Sequence, residues 1–171
     1  MTAYRFSYKV IHHMKIAVIS DTHLTHPTDA FRRHMETFFA DAGIMLHAGD
    51  MTSASVFDYL SNWDLRAVRG NMDDHDLATL PEQRIETIDG VRIGIMHGWG
   101  PPKGIEERVR DSFSDVDIVV FGHSHMPAKM TNRGVILFNP GSYRGGYAGK
   151  GSVGIIEISE KLSFHHLVVE Y

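Results

Sequence analysis

Five short apolar runs in this chain each end in side chains that can bind a metal ion, and this pattern strongly constrains the fold. Each run has the length of a β-strand, and continuous apolar runs are typical of central strands covered on both faces. Sites in open α/β sheets form outside the carboxyl ends of the strands, so the terminal side chains are expected to meet. These side chains are Asp21 and His23, Asp50, Asn71, His97, and His123 with His125.

The segment from Phe121 to His125 reads F-G-H-S-H and places two histidines two residues apart after an apolar run. In an extended segment such residues point the same way, so His123 and His125 can aim at one metal or at two adjacent ones. A single loop histidine is more often a surface or hydrogen-bonded residue, but the other strand ends favour a shared site. Seven ligands are too many for one ion and suit two ions about 3.5–4 Å apart that share a carboxylate.

The composition is that of a single globular domain without cysteine chemistry. The chain has 171 residues, 43% of them apolar, with 22% charged residues, no cysteine and 12 histidines. A metal would therefore be bound by imidazole, carboxylate, amide and water. The net charge of −4 argues against a stable complex with nucleic acid, which needs a basic face. No stretch reaches the roughly 18 apolar residues of a membrane span, and no signal-peptide core is apparent, so we expect a cytoplasmic protein.

The periodicities predict alternating strands and helices, with an N-terminal extension over 1–13 and one domain over 14–171. Tyr4, Phe6 and Tyr8 alternate with polar residues as in a short strand, and 145–151 is predicted to be a glycine-rich loop. His47 lies inside a strand and is interpreted as a packed or hydrogen-bonded core residue. Helices are predicted over 28–42, 53–61 and 104–113. Strands are predicted over 15–20, 44–48, 65–69, 85–88, 91–96, 117–121, 135–138, 153–158 and 164–169.

In chain order, the motifs D-x-H, G-D, G-N, H-G and G-H-x-H resemble the signature of the calcineurin-like metallophosphoesterases, from about Lys15 to Ser142. The short length and the segment Asn139–Ser142, N-P-G-S, are similar to the small single-domain phosphodiesterases of the bacterial and archaeal branch. The resemblance implies an α/β (α+β) fold in which a two-sheet β-sandwich is flanked by helices.

The resemblance also implies a role for each strand-end residue in the hydrolysis of phosphodiester bonds by a hydroxide that bridges two metal ions. Asp50, Asn71 and His97 would be catalytic, and Asn71 would also bind substrate, with Arg144 as a weaker suggestion. Manganese is expected first, while nickel, iron and zinc suit the same ligands. The first ion would be bound by Asp21, His23 and His125, the second by Asn71, His97 and His123, and Asp50 would bridge them.

Met72 departs from the pattern of many larger relatives, which have a histidine there that is thought to protonate the leaving group. A thioether cannot donate a proton, so substrates with poor leaving groups are expected to react slowly unless another acid serves. His26 and His75 lie near the motifs, although each is interpreted first as a loop histidine.

The expected partner is a small phosphodiester or nucleotide-type substrate, and a homodimer is compatible with the sequence. Two other functions stay open. One is a non-catalytic interaction scaffold with the same fold, and the other is a nuclease, which the length and the negative charge disfavour. Metal content and hydrolysis of a generic aryl phosphodiester would separate these alternatives.

Overall fold

A computed structural model describes residues 13–145 and 149–170. Apart from His13, the predicted N-terminal extension with Tyr4, Phe6 and Tyr8 lies outside the described residues. Positions 146–148 of the predicted glycine-rich loop lie outside them as well. The division into 1–13 and 14–171 stays a prediction.

Two five-stranded sheets form the centre of the described structure. Their strands are β1 (Met14–Ile19), β2 (Ile44–His47), β3 (Asp64–Ala67), β4 (Gln83–Ile88), β5 (Val91–Met96), β6 (Ile118–Val120), β7 (Ala128–Asn132), β8 (Val135–Asn139), β9 (Gly151–Ile158) and β10 (Leu162–Val169). The first sheet has the order β10-β9-β1-β2-β3, and the second has the order β4-β5-β6-β8-β7.

The helices are α1 (Asp29–Phe39), α2 (Ala54–Leu60) and α3 (Ile105–Asp111), with a 3₁₀ helix at His75–Leu77. Two packed sheets with flanking helices confirm the predicted fold class. Within the described residues, no helix has the length and apolar character needed to cross a membrane.

Strand β1 is buried on both faces, as its continuous apolar sequence predicts. On one face, Ile16 belongs to a cluster that contains Ile93 of the second sheet, so this cluster fills the space between the sheets. On the other face, Ile19 packs with Phe31 of α1. Helix α3 covers the second sheet in a similar way, since its Val109 shares a cluster with Leu137 of β8.

The parallel strands bring the predicted ligand positions to one side of each sheet. Strands β1, β2 and β3 run parallel, as do β5, β6 and β8. The carboxyl ends of β1, β2 and β3 therefore lie at one edge of the first sheet, and those of β5 and β6 lie at one edge of the second.

Strand β7 is absent from the sequence-based prediction. Its residues A-K-M-T-N carry no apolar run because the strand is an edge strand, partly buried or exposed along its length. The available sequence signal was the glycine of the turn after it, where Arg133 and Gly134 have φ of 47° and 80° in the structure. Two successive positive φ values are typical of the tight turns that join antiparallel strands.

The helices are shorter than their periodicity predicts. Helix α1 was predicted over 28–42, but Thr28 is its N-cap, accepting a hydrogen bond from the N–H of Phe31, and the helix ends at Phe39. Helices α2 and α3 also lose residues at both ends relative to their predicted ranges. The apolar spacing continues into the terminal turns, where side chains pack but the helical hydrogen bonds have ended.

His47 is a buried core histidine, as predicted. Its Nδ1 accepts a hydrogen bond from the N–H of Gly49 at 3.2 Å, and its Nε2 lies 3.4 Å from Thr22 Oγ1. Burial lowers the pKa of His47 from 6.5 to about 4, so the folded protein holds this imidazole neutral.

The free energy of unfolding is therefore expected to fall as the pH drops from 6.5 towards 4, because the unfolded chain takes up the proton first. His47 makes its full contribution to the free energy of unfolding above pH 6.5, the pKa of histidine in the unfolded chain. This contribution, up to about 3 kcal/mol, is lost by about pH 4, the pKa of His47 in the folded protein. Urea unfolding of chelator-treated protein across this range measures the effect. His47→Asn keeps an acceptor near Nδ1 and cannot titrate, so an equally steep decline in this variant would contradict the assignment.

Candidate metal centre

The loops after β1, β2, β5 and β6 are joined by backbone hydrogen bonds that draw the candidate ligands together. The N–H of Asp21 donates to Gly49 O at 3.0 Å, and the N–H of Gly122 donates to His97 O at 3.0 Å. One contact between the loops of the two sheets is made by the N–H of His123, which donates to Asp21 Oδ2 at 3.1 Å. The strand ends of both sheets thus form one site.

Two glycines in the motifs are needed because neighbouring atoms occupy the space of a side chain. A Cβ at Gly70 would lie 2.1 Å from Asp50 Oδ1, and one at Gly122 would lie 1.9 Å from Ser20 Oγ. Real Cβ atoms do not approach this closely, so the G-N and G-H pairs reflect close backbone contact with the carboxylate loops.

Most of the candidate ligands have a left-handed backbone conformation, which corrects the expectation of an extended G-H-S-H segment. This conformation is unusual for residues other than glycine and costs of order 1 kcal/mol or more at each position. Because of it, His123 and His125 face different ligand groups. The φ values are 52° at Asp21, 45° at His23, 54° at Asp50, 66° at His123 and 58° at His125.

The first ligand group consists of Asp21, His23 and His125. His23 Nε2 lies 3.3 Å from His125 Nε2. Asp21 Oδ1 lies 3.1 Å from His125 Nε2 and 3.8 Å from His23 Nε2. The three ligand atoms can therefore surround one cation.

The second ligand group contains His97, His123 and Asn71. His123 Nδ1 lies 3.3 Å from His97 Nε2 and 3.1 Å from Asn71 Oδ1. Asn71 is exposed, whereas His97 is buried. The amide therefore lies at the open side of this group.

Backbone carbonyl groups set which nitrogen of His97 and His123 faces the site. His97 Nδ1 lies 2.7 Å from Ala48 O, and His123 Nε2 lies 2.9 Å from Gly100 O. A carbonyl only accepts, so these nitrogens carry the protons, and the opposite nitrogens present lone pairs. Lone pairs this close repel each other unless a cation lies between them.

Asp50 lies between the two groups and faces both with a single oxygen. Its Oδ2 lies 3.8 Å from His23 Nε2 and 3.3 Å from His97 Nε2. Its Oδ1 accepts a hydrogen bond of 2.7 Å from the N–H of Met72. The other carboxylate, Asp21, lies nearer the first group, since its Oδ1 is 3.1 Å from His125 Nε2 and 3.9 Å from His97 Nε2.

The chemistry of this donor set fits divalent cations. Asp21 Oδ1 is fully buried, and no described residue gives it a well-aligned hydrogen bond, although its other oxygen accepts from Ser20 Oγ at 2.7 Å. A buried carboxylate oxygen without a partner is costly, and a bound cation removes that cost. With the Nε2 atoms of His23 and His125 on two sides, this oxygen is suited to metal coordination.

The electrostatics of the site favour positive charge. Burial opposes protonation of His97, but the adjacent Asp50 carboxylate and the charge of Asp21 raise its pKa overall. Contact with Asp21 also raises the pKa of His125, whereas burial lowers the pKa of His23. A field that stabilises imidazolium also stabilises a metal ion in its place.

Asp73 supports the site and was not identified from the sequence as a functional residue. Its Oδ1 accepts from the N–H of Thr52 at 2.6 Å, and its Oδ2 accepts from the N–H of Gly70 at 2.7 Å. One carboxylate therefore ties the loop after β2, which carries Asp50, to the loop after β3, which carries Asn71. The available signal was an aspartate two residues after G-N.

Arg144, His26 and His75 lie at the edge of the candidate metal site. Arg144 is exposed, and its Nη1 donates to His23 O at 3.0 Å, which places it beside the first group. His26 is exposed and lines a cleft together with His23 and Arg144. His75 is exposed at the start of the 3₁₀ helix.

Residues 14–161 match the calcineurin-like phosphoesterase superfamily domain. A probable metallophosphoesterase from Methanothermobacter thermautotrophicus is 33% identical over 132 residues, which cover 75% of this chain and 77% of that protein. A characterised archaeal phosphodiesterase has a similar structure, with a TM-score of 0.74, 25% identity and coverage of 91% of this chain and 99% of that one. Vps29 from Chaetomium thermophilum shares the fold at 20% identity, with a TM-score of 0.70 and coverage of 91% and 97%.

Proposed function

The chain belongs to the calcineurin-like phosphoesterase superfamily, and on that premise we propose that it hydrolyses phosphodiester bonds with two divalent metal ions. The observation that carries the proposal is the position of Asp50 Oδ2 between two groups of ligand atoms. The similarity to an archaeal phosphodiesterase supports a diester substrate.

We assign the ligands by their distances. The first ion would be bound by Asp21, His23 and His125, and the second by Asn71, His97 and His123, with Asp50 shared through Oδ2. When bound, two such ions lower the pKa of a water molecule that they share and stabilise charge on the phosphoryl oxygens. Manganese is the metal expected first, and nickel, iron and zinc suit the same donors.

The protein's own residues hold this arrangement before any substrate binds. The carbonyl groups of Ala48 and Gly100 orient His97 and His123, and Asp73 fixes the loops that carry Asp50 and Asn71. Such preorganisation means that little is rearranged as charge develops on phosphorus. Asn71, at the open side of the second group, is placed to contact a phosphoryl oxygen, and Arg144 is a second candidate for this contact.

The expected substrate is a small phosphodiester or a nucleotide-type compound. The direct test is hydrolysis of bis(4-nitrophenyl) phosphate by protein loaded with each metal. Release of 4-nitrophenol that requires metal and is lost on chelation supports the proposal. Full metal occupancy without hydrolysis of any diester in a broad panel would instead favour the non-catalytic scaffold, a role compatible with the same fold.

Metal analysis of reconstituted protein is expected to approach two divalent ions per chain. The reason is that two groups of ligand atoms share one carboxylate oxygen. Removal of the ions should lower the melting temperature, because ions that bind only the folded state stabilise it by mass action. Elemental analysis and thermal melting measure both effects.

His165→Ala is the matched control for metal binding, since His165 is exposed on β10. It should keep the native stoichiometry, whereas His23→Ala and His123→Ala should each weaken binding of one ion. A saturating stoichiometry of zero in the native protein would refute the two-ion assignment.

A further inference from the structure

Two clefts of similar size flank the ligand groups, and they differ in chemical character. One cleft, of about 300 Å³, is lined by Asn71, His97, Arg69, Glu82, Met96 and Trp99. The other, of about 320 Å³, is lined mainly by polar side chains, which include His23, His26, Thr25 and Arg144. A phosphodiester has two substituents on phosphorus, so each cleft is within reach of one substituent of a phosphate at the ligand groups.

Trp99 presents an unusual amount of aromatic surface beside the proposed site. The residue is 49% exposed although it directly follows the segment that carries the buried His97. Tryptophan is usually largely buried, and its ring is well suited to contact with a flat ligand. Exposed aromatic surface in a cleft next to candidate metal ligands is available for contact with a bound molecule.

The loop that carries Trp99 is held in place by Arg108 of α3. The Arg108 guanidinium donates to Trp99 O at 2.9 Å and to Lys103 O at 3.3 Å, and it also donates to Pro101 O. The same loop contributes Gly100 O, which accepts from His123 in the second ligand group. Because the loop is already ordered, binding at Trp99 loses little conformational entropy.

The charges in the Trp99 cleft compensate each other. Arg69 Nη2 lies 3.0 Å from Glu82 Oε1, so the arginine is paired with a carboxylate. A second phosphate would gain little there, because the carboxylate cancels the attraction of the guanidinium. An uncharged, planar group fits this cleft better than an anion.

We propose that the Trp99 cleft binds a planar aromatic ring of the substrate, an aryl group or a nucleobase, by stacking on the indole. The inference rests on the proposed function, since it places the phosphate at the two ligand groups. The volume lies at the lower end of the range for small-molecule pockets, which suits one ring system.

Calorimetric titration of manganese-loaded protein with AMP and with ribose 5-phosphate tests the proposal, because the two probes differ by the nucleobase. AMP is expected to bind about 10-fold more tightly, which is within the effect of stacking one base on an aromatic side chain. Trp99→Phe should retain most of this preference. Trp99→Ala should reduce it to about one, without weakening the binding of ribose 5-phosphate.

Trp63→Phe is the matched control, because Trp63 lies outside the cleft and its Nε1 donates to Phe39 O at 3.1 Å. This variant should keep the full preference. Equal affinities for the two probes in the native protein, no saturable AMP binding, or an unchanged preference in Trp99→Ala would each overturn the proposal.

Hydrolysis of bis(4-nitrophenyl) phosphate, assayed on the same preparations, separates this inference from the proposed function. Loss of the probe preference in Trp99→Ala together with undetectable hydrolysis in the native protein would support the aromatic cleft and refute the phosphodiesterase. Hydrolysis by the native protein together with equal affinities for AMP and ribose 5-phosphate would support the phosphodiesterase and refute the aromatic cleft.

Discussion

Asp50→Asn is expected to lower kcat for phosphodiester hydrolysis by at least about 10³-fold at saturating metal, more than a change at any other single ligand. The structure gives two reasons. The substitution removes a negative charge between the two proposed ion positions, and the N–H of Met72 already occupies one side-chain oxygen of residue 50. An asparagine that keeps this hydrogen bond would present its amide nitrogen, a poor ligand, to both ion positions.

This loss would not reflect misfolding, because asparagine tolerates the left-handed conformation of residue 50 as well as aspartate does. Asp89→Asn is the matched control, since Asp89 also has a positive φ of 46° and is exposed in the turn between β4 and β5. It should retain native kcat. Near-native turnover by Asp50→Asn at saturating metal would show that Asp50 is not the bridging ligand.

The second large effect concerns the leaving group. Without a general acid at position 72, kcat/KM should fall steeply as the pKa of the leaving alcohol or phenol rises. Met72 is 58% exposed at the loop beside Asp50, and its thioether cannot supply a proton. General acid assistance contributes about 10²–10⁴-fold, and most when the departing oxygen is basic. Aryl diesters of acidic phenols should therefore react far faster than alkyl diesters.

Met72→His should raise kcat/KM for diesters with poor leaving groups and change little for those with good ones. The measurement is kcat/KM across phenyl phosphodiesters of graded phenol pKa. Met130→His, at another partly exposed methionine on β7, is the control and should leave the dependence unchanged. A shallow dependence in the native protein that Met72→His does not alter would mean that another residue already donates the proton. His26, in the cleft with His23, would be replaced next.

The sequence predicted that the candidate ligands would lie close together, because parallel strands impose a simple rule. Asp21, Asp50 and His97 each follow an apolar run, and the strand order brings such ends together without detailed knowledge of the loops. The direction of each side chain did not follow from that rule. His123 and His125 were expected in an extended segment that faces one ion or two adjacent ones, whereas their left-handed backbone turns them towards the two different groups that the resemblance implies.

Interactions between distant segments could not be predicted from the sequence pattern either. Asp73 bonds to Thr52, which lies 21 positions away, and nothing in the local sequence indicates that partner. Strand β7 was missed because an exposed edge strand has no buried face to mark it. Local periodicity identifies elements that build the core, whereas edges and loop contacts depend on the assembled fold.

The left-handed backbone at five candidate ligands has a consequence for how this fold changes over time. Glycine at His23, His123 or His125 would relieve the backbone there, by up to about 1 kcal/mol each, without disturbing the sheets. The candidate ligands are therefore not the residues that would make these positions most stable, which is the usual relation between a functional site and its scaffold. A lineage released from the need for metal could lose the ligands one by one and fold better at each step. The fold can thus outlive its chemistry, because the sheets do not depend on the residues that would bind the ions.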